Sequence, residues 1–243
     1  MTDAPGPREA RVAGMRPAVV MLARSPFVAG KTRLSAVLDH RHATALRAAL
    51  LLDTIESALA VGWPLHLHLE PAGHASQVET LVAADQVLAP HTSRVQWRPQ
   101  AGGDLGARMI AAVETTLAAG HDVVVLVGSD IPDLPLAAFT EARAGLVALP
   151  RGTRVAFGPA SDGGFYLVAA TDVASLAAAF GGVTWSQPSV LADVTARLAA
   201  SGREARLVAS WHDLDTTADL DALLARPGEG ARRTRAVARR LPP

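Results

Sequence analysis

Five apolar residues in succession, Val123-Val124-Val125-Leu126-Val127, run straight into Gly128-Ser129-Asp130-Ile131-Pro132-Asp133. A strand with no polar side chain on either face has to be covered on both sides, which is the condition of a parallel strand between helical layers. The acid that closes it then sits at the carboxyl edge of the strand, where open α/β sheets keep their ligands. A carboxylate there can hold Mg²⁺ (or Mn²⁺) through hard oxygen ligands, leaving other coordination positions for water and phosphate. The plainer alternative is that Asp130 caps a turn, with Asp133 better placed to cap a helix beginning near Leu136.

The rest of the chain alternates in the same way. Ala18 to Ala23, Leu65 to Leu69, Val95 to Trp97, Val155 to Phe157 and Phe165 to Ala169 read as strands. Helical patterns run from His42 to Ala60, His74 to Ala84, Leu105 to Ala119 and Leu136 to Leu149, with Gly62 and Gly120 placed to end the first and third. Ser186 with Pro188 starts another, ending near Ala200, and Thr216-Thr217-Ala218-Asp219 has the spacing of a capping box that opens a short helix through Leu224. Strands alternating with helices predict one α/β domain over residues 17–227 around a mostly parallel sheet.

Composition narrows the chemistry. The chain has 243 residues, 49% of them hydrophobic, enough for a full core. Lys plus Arg and Asp plus Glu each number 23, so no overall charge favours nucleic acid or an anionic membrane. Cysteine is absent, which excludes thiolate metal sites and cysteine nucleophiles. A cytoplasmic protein is expected on that basis. The longest apolar stretch, Ala48 to Trp63, is broken by Asp53 and Glu56 and falls short of the roughly 20 residues of a membrane helix. Residues 1–16 read as a flexible extension and residues 228–243 as a basic tail. Arg232 to Arg240 carries five arginines and no acid, the composition of a solvated tail or of a phosphate or partner contact.

Four further segments carry possible chemistry. Ser25-Pro26-Phe27-Val28-Ala29-Gly30-Lys31-Thr32 follows a strand and approximates a Walker A loop, but Pro26 lacks an N–H and Phe27 and Val28 resist its tight turns. Arg24, Lys31 and Arg33 can instead bind a triphosphate through their side chains, with Gly30 and Thr32 in the same loop, or the segment is simply a solvated basic loop. Asp213-Leu214-Asp215 throws two carboxylates to one side if extended, and with Asp130 they can form one divalent-metal site; a pair of surface turn acids is the alternative. Gly102-Gly103-Asp104-Leu105-Gly106-Ala107-Arg108 leads into a helix, so N–H groups and Arg108 can meet an anion, or Asp104 is only the N-cap. Asp162-Gly163-Gly164 can contact a sugar hydroxyl, an acceptor or the metal, and equally makes an ordinary hairpin turn. His66 and His68 share one face of a strand without a third ligand at metal-like spacing and read as structural. No Gly-x-Ser-x-Gly elbow points to a serine hydrolase.

Taken together, Lys31-Thr32-Arg33-Leu34, Gly103-Asp104-Leu105-Gly106-x-Arg108-Met109, Gly128-Ser129-Asp130-Ile131-Pro132, Gly158-Pro159-x-x-Asp162-Gly163-Gly164 and Asp213-Leu214-Asp215-Thr216 resemble the DUF2064 family. That family is glycosyltransferase-like and related to 2-phospholactate guanylyltransferase. The resemblance implies a GT-A, nucleotide-diphospho-sugar transferase architecture, a Rossmann-like three-layer sandwich with a mixed sheet. It further implies Asp130, Asp213 and Asp215 as Mg²⁺ ligands, Lys31 and Arg33 as triphosphate contacts, and Arg108 with Asp162 to Gly164 as the acceptor side.

The expected activity is nucleotidyl transfer, from a nucleoside triphosphate to a small phosphorylated or phosphonate acceptor with release of pyrophosphate. Such chemistry asks mainly for alignment and charge neutralisation, with Lys31, Arg33 and Asp130 in the reacting constellation. Glycosyl transfer from a nucleotide sugar is the alternative. A P-loop phosphohydrolase and a noncatalytic nucleotide-binding module rank behind it, and a homodimer is left open.

Overall fold

The computed structural model describes residues 14–28, 38–147 and 152–241. Seven strands form one sheet in the order β3-β2-β1-β4-β6-β5-β7. They are β1 (Pro17–Arg24), β2 (Leu65–Glu70), β3 (Val95–Pro99), β4 (Val123–Val127), β5 (Arg154–Pro159), β6 (Phe165–Ala170) and β7 (Glu204–Leu207). The helices are α1 (His40–Ala60), α2 (Ala75–Ala84), α3 (Leu105–Ala118), α4 (Leu136–Val147), α5 (Val173–Phe180), α6 (Val190–Ala200), α7 (Thr217–Ala225) and α8 (Arg232–Ala238). All five residues of β4 are buried, as an unbroken apolar run requires. β2 pairs parallel with β3 and β5 with β7, whereas β6 runs antiparallel to both β4 and β5. The reversal follows from the short connection between β5 and β6, since adjacent parallel strands need a long crossover. The protein is thus the mixed, mostly parallel α/β sheet with helices that the sequence predicts. Among the described residues, no helix is long and apolar enough to cross a membrane.

The chain packs as two compact units. One takes in the described residues up to 20 with Ala101–Val127 and Ala137–Trp211; the other takes in Met21–Gln100, Gly128–Leu136 and the residues from His212 onward. In the first, Phe165 stacks on Phe180 at 6.0 Å and meets Phe157 edge-on at 5.1 Å, and Phe180 meets Trp185 at 5.4 Å. Each such ring buries a large apolar area, and this cluster explains why α5 and its following turn form, although the sequence reading passed over Val173–Phe180. It also passed over β7, a four-residue edge strand with mostly exposed side chains and no apolar alternation to reveal it. The helix expected from Ser186 begins at Val190, because Ser186 has φ 61°, outside the helical region.

In the second unit, Leu46 and Leu50 of α1 form an apolar cluster with Leu214, with Leu220 and Leu223 of α7, and with Ala231 and Ala238. Helix α1 starts at Asp39, whose carboxylate accepts the His42 N–H at 2.9 Å. Its buried residues include a charged one, Asp53, 2% exposed. Asp53 accepts the Thr234 N–H at 2.7 Å, the Thr234 hydroxyl at 2.8 Å and the Arg233 guanidinium at 2.8 Å. Arg233 also reaches Glu56 and Asp85, each at 2.5 Å. The solvated-tail reading is therefore corrected for Arg232–Ala238: α8 docks on α1, and Thr234 is fully buried, while Arg239 and Arg240 are exposed. A buried carboxylate needs a counter-charge and donors, and residues 233 and 234 supply them.

Candidate functional site

The second unit gathers the acids that the sequence placed far apart. Asp130, Asp213 and Asp215 each offer a carboxylate oxygen, and these oxygens lie within 4.8 Å of one another. Asp130 follows β4 and is half-buried; Asp213 is half-buried and Asp215 exposed. Burial, and then the like charges of Asp213 and Asp215, push the Asp130 carboxyl up to about 7. A cation at that point would reverse the repulsion, and three hard oxygen donors suit Mg²⁺ or Mn²⁺.

The backbone around these acids is held in several places. The Leu214 N–H donates to the Asp130 carbonyl at 3.0 Å, which sets the 213–215 segment beside residue 130. The Ile131 N–H donates to the Thr54 hydroxyl at 3.2 Å, and that hydroxyl also lies 3.2 Å from the Ser129 carbonyl. Arg226 spans the two segments, contacting Asp133 at 2.9 Å and His212 Nδ1 at 3.2 Å. The predicted capping box is present: Asp219 accepts the Thr216 N–H at 2.8 Å and also the Asp215 N–H at 3.1 Å. A Cβ on Gly128 would stand 2.8 Å from Asp130 Oδ1, so glycine leaves that carboxylate room in its present position. Sequence reading missed Thr54, Arg226 and His212, because a buried threonine in an apolar helix and a lone basic residue carry no local signal of what they touch.

Gly30, Lys31, Thr32 and Arg33, the centre of the expected triphosphate loop, lie outside the described residues. Arg24, at the end of β1, is exposed. Burial, and then the charge of Arg24, lowers the Arg47 guanidinium below its ordinary value. Arg47, a second cation that the sequence reading did not single out, donates to the Pro26 carbonyl at 3.0 Å and the Thr44 hydroxyl at 3.1 Å. In the same region the buried Ser25 hydroxyl meets His74 Nδ1 at 2.9 Å.

The first unit holds the remaining candidates. Asp104 is the N-cap of α3, accepting the Ala107 N–H at 2.8 Å, and Arg108 Nε donates to the Gly103 carbonyl at 3.0 Å. Gly106 belongs to the core: a Cβ there would meet the Trp185 ring at 2.6 Å. Asp162 accepts the Gly164 N–H at 2.9 Å in the β5–β6 turn. Gly163 has φ +89°, and a Cβ on it would stand 2.0 Å from the Pro188 carbonyl oxygen, so only glycine fits.

Residues 52–187 match the family model described as "Uncharacterized protein conserved in bacteria (DUF2064)". The match spans more than half the chain and includes Asp104, Arg108, Asp130 and Asp162, while Lys31 to Arg33 and Asp213 to Asp215 fall outside it. No curated protein sequence matches the chain. Among solved structures, a provisionally assigned nucleotide-diphospho-sugar transferase from Desulfovibrio desulfuricans G20 is 26% identical, with a TM-score of 0.76 over 92% of this chain and 94% of that one. A 4-diphosphocytidyl-2C-methyl-D-erythritol synthase from Anaerococcus prevotii DSM 20548 is 10% identical, with a TM-score of 0.54 over 89% and 99% of the two chains. A cytidylyltransferase from Leptospira borgpetersenii serovar Hardjo-bovis (strain JB197) is 12% identical, with a TM-score of 0.53 over 93% and 94%. The last two share the fold with this chain.

Proposed function

For a chain that belongs to the DUF2064 family, we propose a metal-dependent, nucleotide-using transferase. The observation that carries the reading is the convergence of Asp130, Asp213 and Asp215 at the end of β4. Fold alone does not assign a reaction, so the weight rests on the donor set. Asp130, with Asp213 and Asp215, would hold a Mg²⁺ or Mn²⁺ ion. When bound, such an ion neutralises phosphate charge and aligns the phosphate oxygens of a nucleotide. The likeness to a nucleotide-diphospho-sugar transferase supports a nucleotide as the shared substrate element.

Within that class we favour nucleotidyl transfer to a small phosphorylated or phosphonate acceptor. The acceptor attacks the α-phosphorus of a nucleoside triphosphate, the bond to the β-phosphate oxygen breaks, and pyrophosphate leaves. Lys31 and Arg33, with Arg24, are proposed to bind the triphosphate. Gly103, Asp104 and Arg108, with Asp162, Gly163 and Gly164, are proposed to serve the acceptor. Glycosyl transfer from a nucleotide sugar is the second reading, favoured by the Desulfovibrio likeness. Incubation with each nucleoside triphosphate, Mg²⁺ or Mn²⁺ and a panel of phosphorylated acceptors should release pyrophosphate. Turnover with nucleotide sugars alone would reverse the preference, and release of inorganic phosphate would mark a hydrolase.

A further inference from the structure

We infer that Thr54 of α1 is a positioning residue for Asp130, an inference that rests on the metal reading above. Thr54 is fully buried in a helix whose other buried residues, Asp53 apart, are apolar. Its hydroxyl contacts the backbone on both sides of the acid, accepting the Ile131 N–H at 3.2 Å and standing 3.2 Å from the Ser129 carbonyl. The hydroxyl proton also has the Leu50 carbonyl of its own helix at 2.8 Å. A buried threonine normally ends its hydrogen bonding there, on the carbonyl four residues back, as Thr116 does with Ala112 at 2.8 Å. Thr54 differs because its lone pair is also used, and the donor it satisfies belongs to the residue after Asp130.

Two neighbours on the same helix reinforce the hold. Ser57, one turn on, places its hydroxyl 3.4 Å from the Pro132 carbonyl. Asp53, the residue before Thr54, is fixed by Arg233 and Thr234 of α8. The turn of α1 that carries Thr54 is therefore anchored on one side by α8 and on the other grips the segment 129–132. A short carboxylate has two rotatable bonds, so its oxygen position is set largely by where its backbone is held. Partners of this kind, which orient a ligand without touching the ion, commonly change metal affinity by tenfold or more when removed.

The test is Mn²⁺ binding to the full chain, followed by titration calorimetry or electron paramagnetic resonance, with amide exchange of Ile131 read by NMR. Thr54→Val keeps the shape and removes the hydroxyl; it should weaken Mn²⁺ binding about tenfold and speed exchange at the Ile131 N–H. Thr54→Ser should bind within about twofold of wild type, because it restores the hydroxyl. Thr116→Val, which removes a buried hydroxyl elsewhere, should leave the affinity unchanged even if it lowers stability. Should Thr54→Val fail to fold, Thr54→Ala serves for the same two readouts. A Thr54→Val protein that binds Mn²⁺ as wild type does would overturn the inference and leave the metal reading standing. Wild-type protein that binds no Mn²⁺ would remove both.

Discussion

Asp104 and Asp162 in one unit, and Asp130, Asp213 and Asp215 in the other, look alike in the sequence, since most of them stand in turns beside glycine or another acid. Folding treats the two groups differently. Asp104 and Asp162 each spend an oxygen on a backbone N–H three or two residues ahead, Ala107 for Asp104 and Gly164 for Asp162. Their carboxylates do what capping and turn geometry ask of them. Asp130, Asp213 and Asp215 are instead brought together from separate segments, and burial, then the two neighbouring charges, pushes Asp130 up to about 7. Local hydrogen bonding stabilises an isolated acid, whereas crowding of like charge opposes the fold. The proposed cation would relieve that crowding in the second group.

The largest expected effect tests that contrast at its strong end. Asp130→Asn should lower metal-dependent turnover by about 10²–10³-fold or more while leaving the melting temperature unchanged or raised, because a repelling charge has gone. Full activity with Mg²⁺ in a purified Asp130→Asn enzyme would break the comparison. Next in size is Arg233→Ala, which strands the buried Asp53 carboxylate; it should cost about 3–5 kcal/mol in urea unfolding. Near-wild-type stability there would mean that α8 is not the anchor its contacts suggest.

Glycines of the first unit come third. Gly106→Ala presses a methyl group into Trp185 and should destabilise by about 1–3 kcal/mol, measured by thermal unfolding, with catalysis per folded molecule intact. The pH dependence of Asp85 is smaller. The hydrogen bonds from Arg233 hold its carboxyl down at about 2 against an ordinary 3.8, so its contribution is present above about pH 4 and is lost as pH falls through 2. Partly exposed and screened, it should amount to about 1 kcal/mol, read as a stability gap between wild type and Asp85→Asn that closes on going from pH 5 to pH 2. The smallest effect sharpens the weak end of the comparison. Asp104→Ala should cost about 1 kcal/mol of stability and Asp104→Asn a few tenths. A tenfold loss of kcat/KM in the Asn variant, whose cap survives, would give Asp104 a substrate role and narrow the distance between the two groups of acids.

How far the sequence could be read depended on whether the signal was local. The Val123–Val127 run, the helical pattern from His42 to Ala60 with Gly62 behind it and the Thr216 to Asp219 capping box all declare themselves through neighbours a few residues apart, and the structure has each of them, the helix beginning two residues earlier at His40. The edge strand Glu204–Leu207 and the helix Val173–Phe180 did not, the first because its side chains are exposed and the second because its partners, Phe165 and Trp185, lie in other segments. Arg232 and Arg233 were misread for the same reason. Only their distance in the chain from Asp53, Glu56 and Asp85 made them look solvated.

By itself, then, the amino-acid order determined the α/β alternation, the burial of β4 and the position of an acid at its carboxyl end, since periodicity and the identity of the next few residues suffice for these. Whether Asp130 would meet Asp213 and Asp215, whether Arg233 would find Asp53, and whether Thr54 would face the segment 129–131 depended on the tertiary structure. Each of those contacts joins residues about 75 or more positions apart. Such contacts form only when the packing of helices on the sheet has fixed both ends, and no nearest-neighbour preference encodes them.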